Sequence, residues 1–387
     1  MSGETSPRQG PLQGVKVVEL AGIGPGPHAC MILADLGADV IRVDRPGGGM
    51  LGGGRFDVLT RGRPSVALDL KHPDAIATVL DLVARADILV EGMRPGAAER
   101  LGLGPQVCLE RNPSLVYGRM TGWGQTGPLS HAAGHDMNYI SLTGALFGLG
   151  QDPARPHFPS NLLGDFGGGS TYLVMGVLAA LVQARATGVG QVVDAAIVDG
   201  TAHLNAMGSA MQSAGLAGDR RRSGMLDGGM PFYDLYETSD GRHMSVGPIE
   251  PQFWAEFARL LPLPDDAPGQ YDLARKEELR GLITDRFKTK SLMEWTAVFE
   301  GSDACVAPIL TLSEAAEHPH MHDRGVFVEV DGLVQPAPAP RFSGTPTALS
   351  TGPSRPGEHT IQALTAWGIE GLDDLLASGA AVQAEAD

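Results

Sequence analysis

A chain of 387 residues is long enough to bury a large core and to fold as more than one domain. Its formal net charge of −16 excludes nucleic acid as a partner, because such a field repels phosphates. With 43% hydrophobic and 19% charged residues, and glycines scattered without period, the composition excludes a fibrous or disordered chain.

The first 200 or so residues alternate short apolar runs with helical stretches. Val15–Leu20 reads as a strand, His28–Leu36 as a helix ended by Gly37, and Val40–Val43 as the next strand. Val66–Leu70 and Asp87–Val90 are strands around a helical Pro73–Ala84, and Leu115–Met120 follows a turn at Asn112-Pro113. Ser170–Ala186 is a helix stopped by Gly188, and Val192–Val198 is a further strand or helical segment. Strands separated by helices of this length predict a parallel, doubly wound, Rossmann-like α/β domain over residues 1–215. Asp219-Arg220-Arg221-Arg222 and Gly228-Gly229 suggest a linker, after which residues 230–330 read as a smaller α+β domain. Its predicted elements are strands Phe232–Tyr236 and His243–Val246 and helices Gln252–Leu261, Lys276–Phe287 and Ser291–Phe299. Residues 331–387 return through Pro336–Pro340 to the large domain, with terminal helices at Ile361–Trp367 and Leu372–Leu376.

Location follows from what the chain lacks. Arg8 and Lys16 are not followed by an apolar stretch, and the apolar run within Tyr172–Val182 is too short for a bilayer. Cys30, Cys108 and Cys305 give neither a disulfide framework nor a zinc spacing. A cytoplasmic protein without a membrane span is expected.

Three local features carry chemistry. Gly22-Ile23-Gly24-Pro25-Gly26-Pro27 follows the first strand, and Asp44 ends the second, as in a dinucleotide site. The third glycine of that fingerprint would fall at Pro27, and Pro25 and Pro27 remove N–H groups such a loop must donate. A helix start there still suits another nucleotide's phosphate or adenine. Arg42, Arg45, Arg55, Arg61 and Arg63 stand against only Asp44 and Asp57, an island of positive charge suited to a small polyanion. His318, His320 and His322 alternate, but prolines and flanking acids predict a loop there and no metal site.

In order along the chain come Val17–Gly22, Leu36–Pro46, Leu68–Lys71, Glu91–Gly96, Met120–Pro128, Gly134–Ser141, Gly164–Gly169, Gly190–Asp194, Ile249–Phe253 and Asp303–Pro308. Together these segments resemble family III coenzyme A-transferases and, within them, the α-methylacyl-CoA racemases, from Leu12 to about Phe342. Gly47–Gly54 departs from the resemblance in being richer in glycine. The resemblance implies an interlocked homodimer whose N- and C-terminal parts form the large domain. It implies that Arg45 and Lys71 face the phosphates of coenzyme A, that Leu68, Asp69 and Leu70 line the adenosine, and that Gly92, Met93 and Arg94 border the pantetheine or phosphates. Arg100 would anchor the far side, and Gly134, Asp136, Met137, Asn138 and Tyr139 would contact the acyl-CoA. Coenzyme A is then part of the substrate, and no separate cofactor is expected.

Racemisation of a 2-methylacyl-CoA needs a base on one face of Cα, an acid on the other and stabilisation of the enolate between them. His135 supplies an imidazole, the neutral base suited to physiological pH. Asp165 precedes Gly167-Gly168-Gly169, whose bare N–H groups at a helix start are expected to favour its carboxylate and to receive an enolate oxygen. By resemblance, Glu250 fixes the His135 ring. A CoA-transferase of the same fold instead uses the aspartate at position 165 as a nucleophile and needs no histidine opposite it.

Overall fold

The computed structural model describes residues 9–48, 54, 56–349 and 351–385; Arg55 and most of the Gly47–Gly54 loop lie outside them. The described chain divides into two compact units. One holds the residues up to Thr143, Pro159–Leu204 and those from His322 onward; the other holds Gly144–Phe158 and Asn205–Met321.

In the first unit, β1 (Lys16–Leu20), α1 (Pro25–Asp35), β2 (Asp39–Asp44), β3 (Ser65–Leu68), α2 (Pro73–Val83) and β4 (Ile88–Glu91) follow one another. Then come α3 (Ala97–Arg100), α4 (Pro105–Arg111), β5 (Val116–Thr121) and α5 (Asp136–Leu142). A π-helix, Leu162–Ser170, runs into α6 (Thr171–Thr187), followed by β6 (Gln191–Ala196) and α7 (Ile197–Leu204). The returning segment adds the antiparallel pair β7 (Phe327–Val330) and β8 (Leu333–Pro336), then α8 (Thr360–Ala366), α9 (Leu372–Ala377) and β9 (Ala381–Val382).

The seven-stranded sheet has the order β9-β3-β2-β1-β4-β5-β6 and is parallel except for β9. Strands β1 to β5 are almost wholly buried, as expected of a parallel sheet covered on both faces, whereas the edge strand β6 is largely exposed over Gln191–Asp194. Val17, Val40, Ile88 and Val116 pack with α1 and α6, whereas Val18, Ile41, Leu89 and Tyr117 pack with α2 and α8.

Several expectations change in detail. The first helix begins at Pro25, because a proline at N1 lacks only an N–H that would have no partner inside the helix. Val192–Val198 divides into β6 and α7. His318–His322 is not a loop: Pro319 opens a short helix, Pro319–Asp323. Among the described residues no group of three or more His, Cys, Asp or Glu is placed to hold a metal ion. The π-helix and α6 form one helix of 26 residues, an 18-residue stretch of which has a mean hydropathy of 1.4, long and apolar enough to cross a membrane. The apolar run seen in sequence is thus part of a longer element, whose Leu173, Val177, Ala180, Leu181 and Ala184 are buried against the sheet.

The second unit pairs Asp234–Glu237, His243–Val246 and Val306–Pro308 in an antiparallel sheet. Helices Pro251–Leu260, Lys276–Phe287 and Leu292–Phe299 close over it around Phe257, Phe287, Trp295 and Phe299. The residues read as a linker are fasteners instead. Arg221 is buried, donates to the carbonyls of Phe147, Asp152 and Pro153, and lies over the Phe147 ring.

Candidate active site

An open parallel sheet presents its ligands beyond the carboxyl ends of its strands, at the point where strand order reverses. Here that point is β1, with β2 on one side and β4 on the other. Gly22–Gly24 follow β1, Arg45 follows β2, and Leu68 ends β3 before Asp69, Leu70 and Lys71. Gly92, Met93 and Arg94 follow β4, and Gly134–His135 end the long connection from β5. All of these candidate residues therefore belong to one edge of the sheet.

Burial sorts the arginine island into two groups. Arg61 forks onto Asp35 at 2.6 and 3.2 Å and donates to Gln335, and Arg63 donates to Glu19 at 2.5 Å and to the Pro27 carbonyl at 3.0 Å. Arg42 pairs with Asp44 at 2.9 Å, and Ser65 donates to the same carboxylate. These three arginines are buried structural partners, not an anion site, and Asp44 is engaged inside the protein, not with a ribose. Arg45, Arg94, Arg100 and Lys71 are exposed, with no carboxylate in ion-pair range among the described residues. A guanidinium without an internal partner is the kind that a phosphate can take up.

Leu68 is fully buried in the core, so its side chain is given to packing; Leu70 and Met93 pack against that same core from its rim. The loop after β4 is held from below by a buried carboxylate. Glu91 accepts from the Met93 N–H at 2.6 Å and from Arg119 Nε at 2.9 Å, and Arg119 also reaches Glu99 at 2.9 Å.

His135 is the N-cap of α5, in extended conformation, and its N–H donates to Asn138 Oδ1 at 3.1 Å. Tyr139 braces it: the hydroxyl donates to the Gly134 carbonyl, and the ring meets Trp123 edge-on at 4.8 Å. A Cβ at Gly134 or Gly122 would lie 2.7 or 2.0 Å from that ring, which is why both positions need glycine. Met137 is exposed.

Asp136 is buried, and its Oδ2 accepts from the Asp165 N–H at 2.7 Å, with the Gly164 N–H bonded to the same carboxylate. It thus caps the π-helix on which Asp165 sits. The Asp165 carboxyl is raised above the ordinary range, first by burial and then by the Asp136 charge; the Asn161 side chain and His135 oppose this. The Tyr139 hydroxyl is also raised, by burial and then by Asp165, with Arg94 opposing. The Asp136 bond to the Asp165 turn and the Tyr139 bond to Gly134 gather His135, Asp136, Tyr139 and Asp165 into one cluster, on which Arg94 and Asn161 also act. Asn161 is a member that the sequence offered no signal to find.

Two expectations about Asp165 are corrected. The helix that holds it begins at Leu162, not at Ser170, with Asp165 in its first turn, and there burial outweighs the support a helix start gives a carboxylate and favours the protonated form. The glycine triplet does not bare its N–H groups either. Gly168 and Gly169 are buried: a Cβ at Gly168 would lie 2.3 Å from Thr201 Oγ1, and one at Gly200 would lie 1.9 Å from the Gly168 oxygen. The triplet permits close packing of the π-helix on α7, and the N–H groups at Asp165's own turn are taken by Asp136.

In the second unit Glu250 is exposed at the N-cap of helix Pro251–Leu260. Its loop is tied down by Gln270, which donates to the Pro248 and Ile249 carbonyls at 2.8 Å, and by Tyr271, which donates to Ile249 at 2.8 Å. Cys305 lies near: burial and then the Glu250 charge push its thiol up. A cavity of about 1090 Å³ opens alongside, lined by His157, Phe158, Leu226, Tyr233, Val246 and Cys305 among others.

Residues 12–360, which carry this sheet and these side chains, match CoA-transferase family III, and the chain belongs to that family. It is 44% identical over 363 residues to alpha-methylacyl-CoA racemase of Mus musculus, covering 92% of this chain and 93% of that protein. The corresponding Homo sapiens protein is 43% identical over 364 residues, covering 92% and 94%. The crystal structure of a CAIB/BAIF family protein from Brucella suis matches with a TM-score of 0.81 at 26% identity, over 93% of this chain and 100% of that one.

Proposed function

We propose that this chain interconverts (2R)- and (2S)-2-methylacyl-CoA thioesters by moving the α-proton through an enolate, with His135 and Asp165 as the acid–base pair. The observation that carries this reading is the 44% identity, over 92% of the chain, to an alpha-methylacyl-CoA racemase, and it is supported by Asp136, the neighbour of His135, bonding the turn that carries Asp165. In one direction neutral His135 takes the α-proton while protonated Asp165 delivers one to the opposite face; in the other the roles exchange. A carboxyl that keeps its proton above the usual range is suited to the acid half of that cycle. Glu250 is the carboxylate that fixes the histidine's tautomer and orientation.

Arg45, Lys71, Arg94 and Arg100 hold the phosphates of coenzyme A, Asp69 and Leu70 border the adenosine, and Gly92 and Met93 the pantetheine arm. Gly134, Met137, Asn138 and Tyr139 contact the thioester end, whereas Asp136 serves it from inside the fold. Acid–base chemistry of this kind asks for no group beyond the substrate and these side chains. The working form is an interlocked homodimer. Three free cysteines, one of them exposed, suit the reducing cytoplasm.

A single enantiomer of a 2-methylacyl-CoA incubated in heavy water tests the reading. Expected is inversion with one deuterium gained at Cα, abolished in His135→Ala while binding of the acyl-CoA persists. If the chain instead carries CoA to an added carboxylic acid without labelling Cα, Asp165 is a nucleophile forming a mixed anhydride and the racemase reading is wrong.

A further inference from the structure

The π-helix that carries Asp165 is gripped from a second side, by the first turns of α1. His28 stacks on Phe166, the residue after Asp165, with ring centroids 4.2 Å apart and planes 23° from parallel. Its Nδ1 lies 2.6 Å from Ser170 Oγ, at the far end of the same π-helix. Ser170 donates its one hydroxyl proton to the Phe166 carbonyl at 3.0 Å, so the hydrogen between ring and hydroxyl comes from Nδ1. The His28 N–H donates to the Gly24 carbonyl at 3.1 Å, and a Cβ on Gly24 would lie 3.1 Å from Asp165 Oδ2. One residue thus joins the backbone beside the carboxyl, the ring next to it in sequence and the end of its helix.

We propose that His28 is a positioning residue for Asp165: its ring, packed on Phe166 and bonded to Ser170, holds the π-helical turn so that the carboxyl stays beside Gly24 in proton-transfer geometry. This rests on the acid–base reading of Asp165. Charge supports it. Burial, then Arg61 and Arg63, lower the His28 ring to about 4, so it is neutral when the enzyme works and adds no cation that would drag the raised carboxyl down. The groups bearing on Asp165 itself are Asp136, His135 and Asn161. Arg63 donates to the Pro27 carbonyl and Arg61 to Asp35, so the buried arginines fix both ends of α1.

The experiment compares His28→Ala, His28→Phe and Asp165→Asn in the full chain, using both enantiomers of 2-methylhexanoyl-CoA, with thermal midpoints recorded for each. His28→Ala is expected to lower kcat about ten- to a hundredfold, because a small misplacement of a reacting group is that costly, while KM stays within about twofold. Its acid limb in kcat/KM against pH moves to lower pH, because water reaches the carboxyl. His28→Phe keeps the stacked ring but loses the Ser170 bond; it is expected to hold the limb in place and lose about three- to tenfold in kcat. Wild-type kcat with an unmoved limb in His28→Ala overturns the proposal, as does a KM rise at constant kcat. Should His28→Ala not fold, His28→Phe decides alone: wild-type kcat there overturns it. Asp165→Asn separates the two readings. If it is inactive while the His28 variants are normal, only the positioning role fails; if it turns over at the wild-type rate, the acid–base reading fails and the positioning role with it.

Discussion

A carboxyl is an acid of the right strength only where its surroundings make it one, and Asp136 sets those surroundings for Asp165 twice. Its oxygen bonds the Asp165 backbone N–H, which fixes the turn, and its charge raises the neighbouring carboxyl. The two effects separate in Asp136→Asn, where the amide oxygen keeps an acceptor but the charge is gone. The sign follows directly: removing a negative neighbour makes the ionised form of Asp165 easier to reach, so its pKa falls. In the direction where Asp165 accepts the α-proton, the acid limb of kcat/KM is expected to move to lower pH. Titrating kcat/KM for each enantiomer checks this, and an unmoved limb would show that the Asp136 charge does not act on the catalytic step.

At the scale of elements, glycines decide how closely the π-helix approaches α7. Gly168 and Gly200 meet with their backbones, and a methyl on Gly200 would lie 1.9 Å from the Gly168 carbonyl oxygen. Gly200→Ala must therefore push the π-helix away, and overpacking of this kind costs about 1–3 kcal/mol. The expected result is a lower urea midpoint together with a reduced kcat, because the element displaced is the one bearing Asp165. Wild-type stability in that variant would mean that the two backbones do not need their close approach. The buried pairs Arg63–Glu19 and Arg61–Asp35 serve the same end at α1.

At the scale of the whole molecule, α6 turns one face to the sheet and leaves apolar as well as polar residues exposed on the other. Met175 is 57% and Val182 72% exposed, seven residues apart and so on one stripe of the helix. The proposed dimer needs a covered apolar surface, and a second copy of the chain seated on this stripe is the expected arrangement. Val182→Lys is expected to shift the mass measured by light scattering from dimer to monomer and to remove racemase activity. A wild-type chain that is already monomeric at assay concentrations contradicts the dimer reading.

The strands, most of the helices and the parallel sheet were legible in the sequence because they depend on local periodicity: Val17 and Val18 alternate between two faces wherever the strand is placed. His135 and Asp165 were legible as types of residue in recognisable surroundings. Sequence position does not reveal what a side chain meets in space, and there the tertiary structure decided. It turned Arg42, Arg61 and Arg63 from an anion site into internal ion pairs, because Arg61 and Arg63 meet carboxylates from α1 and β1 and Arg42 is buried against Asp44 of its own strand. It turned a glycine triplet from an anion cradle into a packing surface, because α7 lies against it. It also brought His28 onto Phe166, 138 positions further along the chain, a contact that no short-range pattern encodes. Local physics determines which elements form; the charge state and exposure of each side chain follow only from which elements come together.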